Sequence, residues 1–424
     1  MLLNKAVRGL ALSLVFCFVI AVRGYAAQAD AVAKQKESTV RVDVPQPAQQ
    51  FPNSLPAGAE VSAPGYPTTS AQQSSNSGTS SRRGEFVIAP IPFSNEAFSF
   101  GIVPFVDYVF HIDQNDKKSP PSSLVVAGML ATGKSWALGG GGNLYIKEDR
   151  FRFLGFGGKG SIGYDIFGVG NEGGDEGKAV PIRQGGTMLL LEFLTRLKGK
   201  FYVGPRFNYR NLTAELRTNA DASLPDGLDP ADLDAEFGTH APGFKVLHDT
   251  RSDVFYPTSG HTLQIVADFF DATRSSALRG NEDLRYQYYQ LSYDHYLSLT
   301  PSQILAFRGT FCGVDGDPPF YELCLFGLRS DIRGYQAGRY RDRLMYAVQS
   351  EYRKTLGNRW GFVLFGGAGE VAKNLDSFNS DNILPAGGGG IRFNLSKTRR
   401  INLRADTAYG KNGWSWNFSV GEAF

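Results

Sequence analysis

Trp414, Trp416, Phe418, Val420 and Phe424 occupy alternate positions at the end of the chain, and Ser415, Asn417, Ser419, Gly421 and Ala423 fill the places between them. Successive side chains of an extended backbone point to opposite faces, so this segment is a strand with one greasy face and one polar or small face. Glu422 breaks the pattern by falling on the greasy face. Two routes accommodate it: a carboxylate at headgroup level rather than at the oily midplane, or a bulge at Gly421 that turns it away. A soluble sandwich could use one such strand. A chain that repeats the design on the order of fifteen times is expected to close into a cylinder with lipid outside and water or polar groups within.

The repeats run from Phe98 to Phe110 at one end to Gly413 to Phe424 at the other, separated by Gly, Asn, Asp, Pro or Lys turns. About fifteen segments alternate cleanly; single-chain bacterial barrels have an even number, so about sixteen are expected. The missing strand is sought at Glu85 to Ile91 or at Tyr321 to Phe326. Phe201, Val203, Phe207 and Tyr209 sort to the lipid side, opposite Arg206, Asn208 and Arg210. Leu344, Tyr346, Val348 and Tyr352 likewise oppose Gln349, Glu351 and Arg353, and Ile401, Leu403 and Ala405 oppose Asn402, Arg404 and Asp406. So charged a lumen cannot be a dry core and has to hold water, a plug or an inserted loop. Short turns such as Lys198 and Gly199 or Ser396 to Arg400 suit the periplasmic rim. The longer Arg217 to His240 and Cys312 to Asp342 segments suit the outer rim, the first as an exposed loop or a small lid.

Composition agrees. Glycine (50 residues) and aromatics (13%) are high together, while no apolar run beyond the first thirty or so residues reaches the length of a helical span. Lys5 and Arg8, the apolar stretch Leu10 to Val22 and small residues near Ala26 to Ala29 read as a secretory signal over residues 1–29. Residues 30–83 are mostly Gln, Ser, Pro, Ala and Thr, which bury too little to order themselves, so a disordered periplasmic linker is expected, with Val40, Val42 and Val44 alternating in one short stretch. Residues 84–424 are the barrel. Of the cysteines left after export, Cys312 and Cys324 bracket a Gly, Asp and Pro segment, and a loop-stapling disulfide is expected. The five histidines, His111, His240, His248, His261 and His295, have no metal-ligand spacing and read as loop or lumen side chains. No cofactor or metal is implied.

Gly128 to Ser135 matches the phosphate-loop pattern, yet that pattern binds phosphate only where the loop opens a helix. The following Trp136 to Tyr145 contains four consecutive glycines, a poor helix and a plausible strand, so a hairpin with Gly133 and Lys134 at its tip is expected. Neither a Gly-x-Ser-x-Gly elbow nor a His-Glu-x-x-His pair occurs, and a non-enzymatic protein is expected. A net charge of +3 gives no reason to invoke nucleic acid.

Three stretches resemble the BamA/TamA-type bacterial surface antigen superfamily. Asp249 to Gly260 is similar to its mid-barrel strand-turn-strand; Leu328 to Tyr340, followed by Glu351 and Arg353, to its inserted loop with an Arg-Gly-aromatic tip; and Phe362 to Gly369 to a following strand. The resemblance implies an all-β, transmembrane antiparallel barrel of 16 strands with an inserted lumen loop. It implies that Arg333 pairs inside the lumen with Asp406 or Glu351, that Gly334 makes the tight turn at the tip and that Tyr335 packs on the wall. Family members commonly carry an aspartate where Gly367 stands, so one acid of the network is missing here. Residues 30–83 do not have the length or pattern of a POTRA module, and the chain resembles the shorter members in which a barrel stands nearly alone.

What this implies is a bacterial outer-membrane protein of the assembly and translocation type. Its partners would be outer-membrane lipid and lipopolysaccharide, with a client outer-membrane protein or a periplasmic partner. Phe424 would sit at the seam between first and last strands. The alternative is a small-solute pore in which Arg206, Arg210, Arg285, Arg308 and Arg353 favour anions, or a structural surface protein.

Overall fold

The computed structural model describes residues 84–424 except 96–98, 132, 218–223, 226, 328–330, 358 and 396–399. The expected signal and linker, with the Val40 to Val44 stretch, lie outside the described residues. The strands, in chain order, are β1 (Glu85–Asn95), β2 (Ser99–Phe110), β3 (Ser122–Ala131), β4 (Trp136–Ile146), β5 (Phe151–Ile166), β6 (Val180–Lys198), β7 (Phe201–Leu216), β8 (Ala235–Asp249) and β9 (Gly260–Ser276). They continue as β10 (Gly280–Thr300), β11 (Gln303–Gly316), β12 (Cys324–Leu325), β13 (Arg341–Asp342), β14 (Leu344–Leu356), β15 (Trp360–Ala372), β16 (Leu384–Asn394), β17 (Asn402–Gly410) and β18 (Gly413–Val420). All but β12 and β13 belong to one 16-stranded antiparallel sheet in which each strand pairs with its neighbours in sequence. β12 and β13 pair only with each other, inside the loop between β11 and β14. One helix, α1 (Gly170–Glu176), lies between β5 and β6.

The alternation read from the sequence is the alternation of the wall, except that Ile401, expected on the lipid side, precedes β17 and is buried in the core. Phe207, Tyr209, Phe244, Phe269, Tyr293 and Leu364 are exposed on the outer face, while Arg206, Arg210, Asp268, Glu351 and Asp406 are buried on the inner one. An apolar exterior around a charged interior is the reverse of a water-soluble protein and matches a hydrocarbon surround, so this is a transmembrane barrel of the outer-membrane kind. Among the described residues no helix is long and apolar enough to cross a membrane.

Consecutive antiparallel strands place their connections alternately at the two rims. One rim carries short turns at 147–150, 199–200, 301–302 and 357–359, with 111–121, 250–259 and 395–401 longer; the other has tight turns at 277–279 and 411–412 but also the longest segments, 167–179, 217–234 and 317–343. Short turns mark the periplasmic side of such barrels. The 217–234 segment is shorter than the sequence suggested, because β8 starts at Ala235. Leu228, Ala231 and Leu233 are buried, so residues 227–234 fold into the outer mouth, as the lid alternative has it.

The phosphate-loop match is a hairpin: Ala131 N–H donates to Ser135 O at 2.9 Å, Lys134 adopts φ 60°, and β4 follows directly. The strand absent from the clean repeats is β1, the first of the two places where it was sought. Tyr321 to Phe326 instead belongs to the inserted loop.

The two ends of the sheet meet without joining. Cα atoms of β1 and β18 come within 8 Å of each other, but no ladder connects them among the described residues. At the end of β18 the chain takes the second route open to Glu422. Gly421 has φ 87° and its N–H donates to Asn402 O at 2.7 Å, a left-handed turn that glycine adopts without strain. Beyond it Glu422, Ala423 and Phe424 are buried inside the barrel, not on its oily face.

Candidate functional site in the lumen

The segment between β11 and β14 enters the lumen and packs against its wall. It can do so because it is both apolar and charged: Phe320, Tyr321, Leu325, Phe326, Ile332, Tyr335 and Tyr340 are buried against one another and the wall, while its ionic groups meet partners on the strands. Rings pack edge-on, Tyr335 against Phe326 at 5.0 Å and against Tyr340 at 5.8 Å between centroids. At its base Cys312 of β11 and Cys324 of β12 are disulfide-bonded, with Cα atoms 5.8 Å apart. Closing a short loop in this way contributes about 3 kcal/mol through the unfolded chain. A chain carrying Cys312→Ser and Cys324→Ser is expected to lose about that much stability, read as a lower urea midpoint for its heat-modifiable gel band.

Three charged anchors hold the loop. Glu322 pairs with Arg210 on β7. Asp331 accepts from Arg308 Nε on β11 at 3.0 Å and from Thr310 Oγ1 at 3.1 Å. Arg333 is the third and uses the whole of its fork: Nη1 donates to Asp406 Oδ2 on β17 at 3.0 Å, Nη2 lies 2.5 Å from Glu351 Oε2 on β14, and Nε donates to Gln349 Oε1 at 3.0 Å. The guanidinium lies 3.4 Å from the centroid of the Phe365 ring on β15. Planar guanidinium supplies several fixed donors and an aromatic-stacking face together, which a lysine does not.

The tip conformation depends on glycine. Gly334 has φ 113°, and a Cβ there would lie 2.9 Å from that of Ala386. Tyr335 Oη then donates to Pro385 O at 2.6 Å and accepts from Lys411 N–H at 3.2 Å, so the ring is buried and its polar end is satisfied. Further up, Arg339 Nε donates to Gly174 O at 2.9 Å and Tyr340 Oη to Asp175 Oδ1 at 2.9 Å, which ties the loop to α1.

The network extends beyond the residues singled out in the sequence. Arg392 of β16 lies 2.5 Å from Asp406 and 2.9 Å from Glu422, and Glu422 accepts from Asn402 Nδ2 at 2.7 Å. Arg353 Nε donates to Glu351 at 2.6 Å and its Nη2 to Phe424 O at 2.9 Å. So Arg333, Gly334, Tyr335, Glu351 and Asp406 are brought together, whereas Phe424 is not at the seam. It lies in the lumen with Val254, Tyr296, Ala306 and Ala423, because the turn at Gly421 carries the last residues inward. Gln349 and Arg353 were already on the inner face by the period-two rule, and Arg392 could have been found the same way, since it follows the lipid-facing Ile391. Glu422 could not, without knowing which way Gly421 turns.

No aspartate is needed at Gly367. A Cβ at that position would lie 2.3 Å from Val348 O, and Gln349 fills the place beside Arg333. Asp249 and Arg251, two residues apart, pair directly at 2.7 Å, and Asp249 also holds Arg152 at 2.8 Å. Five residues read as lumen or loop side chains lie elsewhere: Arg285, His240, His248, His261 and His295. Arg285 is on the outer side near the outer rim, 3.8 Å from Asp271, and the histidines of β8, β9 and β10 also face outward. Among the described residues no group of three or more His, Cys, Asp or Glu is arranged to hold a metal.

No family model matches this sequence, and no curated protein does. Among solved structures, the chain is similar to BamA from Haemophilus ducreyi lacking POTRA domains 1-3, at 13% identity and a TM-score of 0.45, covering 80% of this chain and 70% of that one. It is similar to CdiB from Acinetobacter baumannii at the same identity and TM-score, over 80% and 66%. For the alcaligin outer-membrane receptor FauA from Bordetella pertussis the values are 9% identity, a TM-score of 0.32, and coverage of 79% and 55%.

Proposed function

We propose that this barrel is a non-enzymatic outer-membrane assembly or translocation protein whose unjoined seam offers strand edges to a client polypeptide. The observation that carries the reading is the seam itself: two edge strands side by side with no ladder between them. Unpaired backbone amides at a sheet edge recruit another strand.

The sequence of β1 supports it. Pro90 stands opposite Pro104 in the β1–β2 ladder, and neither has an N–H to give. That pair is therefore a non-hydrogen-bonded one, and the even-numbered residues of β1 direct their amide positions toward the seam. Pro90 and Pro92 each remove a seam-side donor, so the upper half of the seam cannot zip, while Phe86 and Ile88 keep theirs near the periplasmic rim. A client strand entering from the periplasm would meet the part of the edge that can pair.

A conducting pore is a weaker reading. Arg206, Arg308 and Arg353 are buried and paired with Asp268, Asp294 and Glu351, and Arg210 with Glu322 of the inserted loop. Arginines committed to internal acids do not present a row of free charge to passing anions.

The test is insertion of an unfolded outer-membrane protein into vesicles. Proteoliposomes holding this barrel are expected to fold the client several-fold faster than empty ones. The Pro90→Val, Pro92→Val double substitution, which restores two seam-side donors, should remove most of that gain while raising the barrel's own heat resistance. Equal rates with and without the barrel, accompanied by steady anion-selective conductance, would reject the assembly reading in favour of a pore.

A further inference from the structure

Three of the five histidines are far apart in sequence yet form one row on the outer wall. His248 ends β8, His261 begins β9 and His295 lies near the end of β10, all at the short-turn rim and all partly buried. His261 Nε2 is 3.0 Å from His248 Nδ1, and His261 and His295, paired in the β9–β10 register, have ring centroids 6.4 Å apart. The row continues aromatic on both sides: Phe201 of β7 stacks on His248 at 4.0 Å, and Phe307 of β11 is the register partner of His295. This is the level at which barrels carry an aromatic girdle, and here its middle is titratable.

The surroundings say what would neutralise it. Thr250 Oγ1 is 3.2 Å from His261 Nδ1, and Tyr293 Oη is 3.4 Å from His295 Nδ1. Asp249 lies behind the wall, already engaged by Arg152 and Arg251, and Asp253 in the adjoining turn accepts from Phe255 and Tyr256 N–H. Lys198 and Lys200 in the neighbouring turn are exposed and cationic. On the lower, outward halves of β7 to β11 no carboxylate is present among the described residues. Neutral imidazoles can share the close nitrogen contact, but two imidazoliums cannot, since each then has only donors. Added protons therefore need an anion from outside the protein, and what touches this wall is lipid headgroup.

We propose that His248, His261 and His295 form a proton-gated binding site for the phosphate of anionic phospholipids. The site rests on the membrane reading of the outer wall but not on the seam or on any client. Each imidazolium near a membrane surface strengthens attraction to acidic lipid about fivefold.

Spin-labelled phosphatidylglycerol and phosphatidylcholine, added to vesicles containing the full chain, report the choice through the fraction of lipid held at the protein wall. The preference for phosphatidylglycerol is expected to rise at least about fivefold between about pH 7.5 and about pH 5.5. The triple His248→Gln, His261→Gln, His295→Gln chain should lose that rise while keeping its heat-modifiable band; should it not fold, His261→Gln, at the centre of the row, should still reduce it by about half or more. A rise of equal size in the glutamine chain, no rise in the native chain, or a rise abolished by EDTA would overturn the proposal. Failure of the native chain to enter vesicles would refute the membrane reading itself, whereas entry without pH dependence refutes this site alone.

Discussion

Arg333→Glu is expected to eliminate most of the compact, heat-resistant species of the folded chain on unboiled gels. The substitution removes the cation between Asp406 and Glu351 and puts a third carboxylate beside them, where all three side chains are buried. Removing one member of a buried pair costs about 3–5 kcal/mol, and reversal adds like-charge repulsion. Arg333→Lys should be intermediate, because one ammonium cannot serve Asp406, Glu351 and Gln349 from the three nitrogens that now face them. Adding Asp406→Arg to the reversed chain should recover only part of the loss. Asp406 also balances Arg392 and Arg404, at 2.5 and 3.7 Å, and an arginine in its place would leave both opposed by a like charge. Strictly additive damage in this double-mutant comparison would show that Arg333 and Asp406 do not act as a pair.

Gly388→Val should be nearly as damaging although it changes no charge. Gly388 lies on β16 opposite Phe365 and Ala408, and a Cβ there would sit 2.1 Å from Thr407 O and 2.9 Å from the Phe365 ring. Two of these neighbours are a backbone carbonyl and the aromatic surface on which Arg333 rests, so neither can give way cheaply. The β16–β17 ladder would have to part locally, moving Asp406 away from the lumen loop. Loss of about 3 kcal/mol or more is expected, in the upper range for strain and overpacking, measured as the urea midpoint of the heat-modifiable band. Gly389→Ala on the same strand is the control, since its Cβ would meet Val363 O at 3.2 Å and should cost far less.

The wall was legible because a barrel writes its two solvents into alternate residues, and the inner and outer sets of β7 and β14 follow from parity alone. β1 was obscured by Pro90 and Pro92, which argue against a central strand; they are tolerated because β1 is an edge. The lumen pairing of Arg333 came from a motif resemblance, as no local rule joins residue 333 to residue 406. What stayed hidden was governed by one torsion or by long-range registry. The positive φ at Gly421 decides whether Glu422 and Phe424 face lipid or lumen. The histidine row exists only because β8, β9 and β10 align in a particular register, which spacing along the chain cannot express.

One loop touches the wall at β7, β11, β14 and β17, through Arg210, Arg308, Glu351 and Asp406. A hoop braced across its bore in this way has a set girth. It cannot widen evenly, because the tie-rods would be pulled from their sockets, and with α1 also tied to the loop the arc left unspanned runs from β18 through β1 to β4.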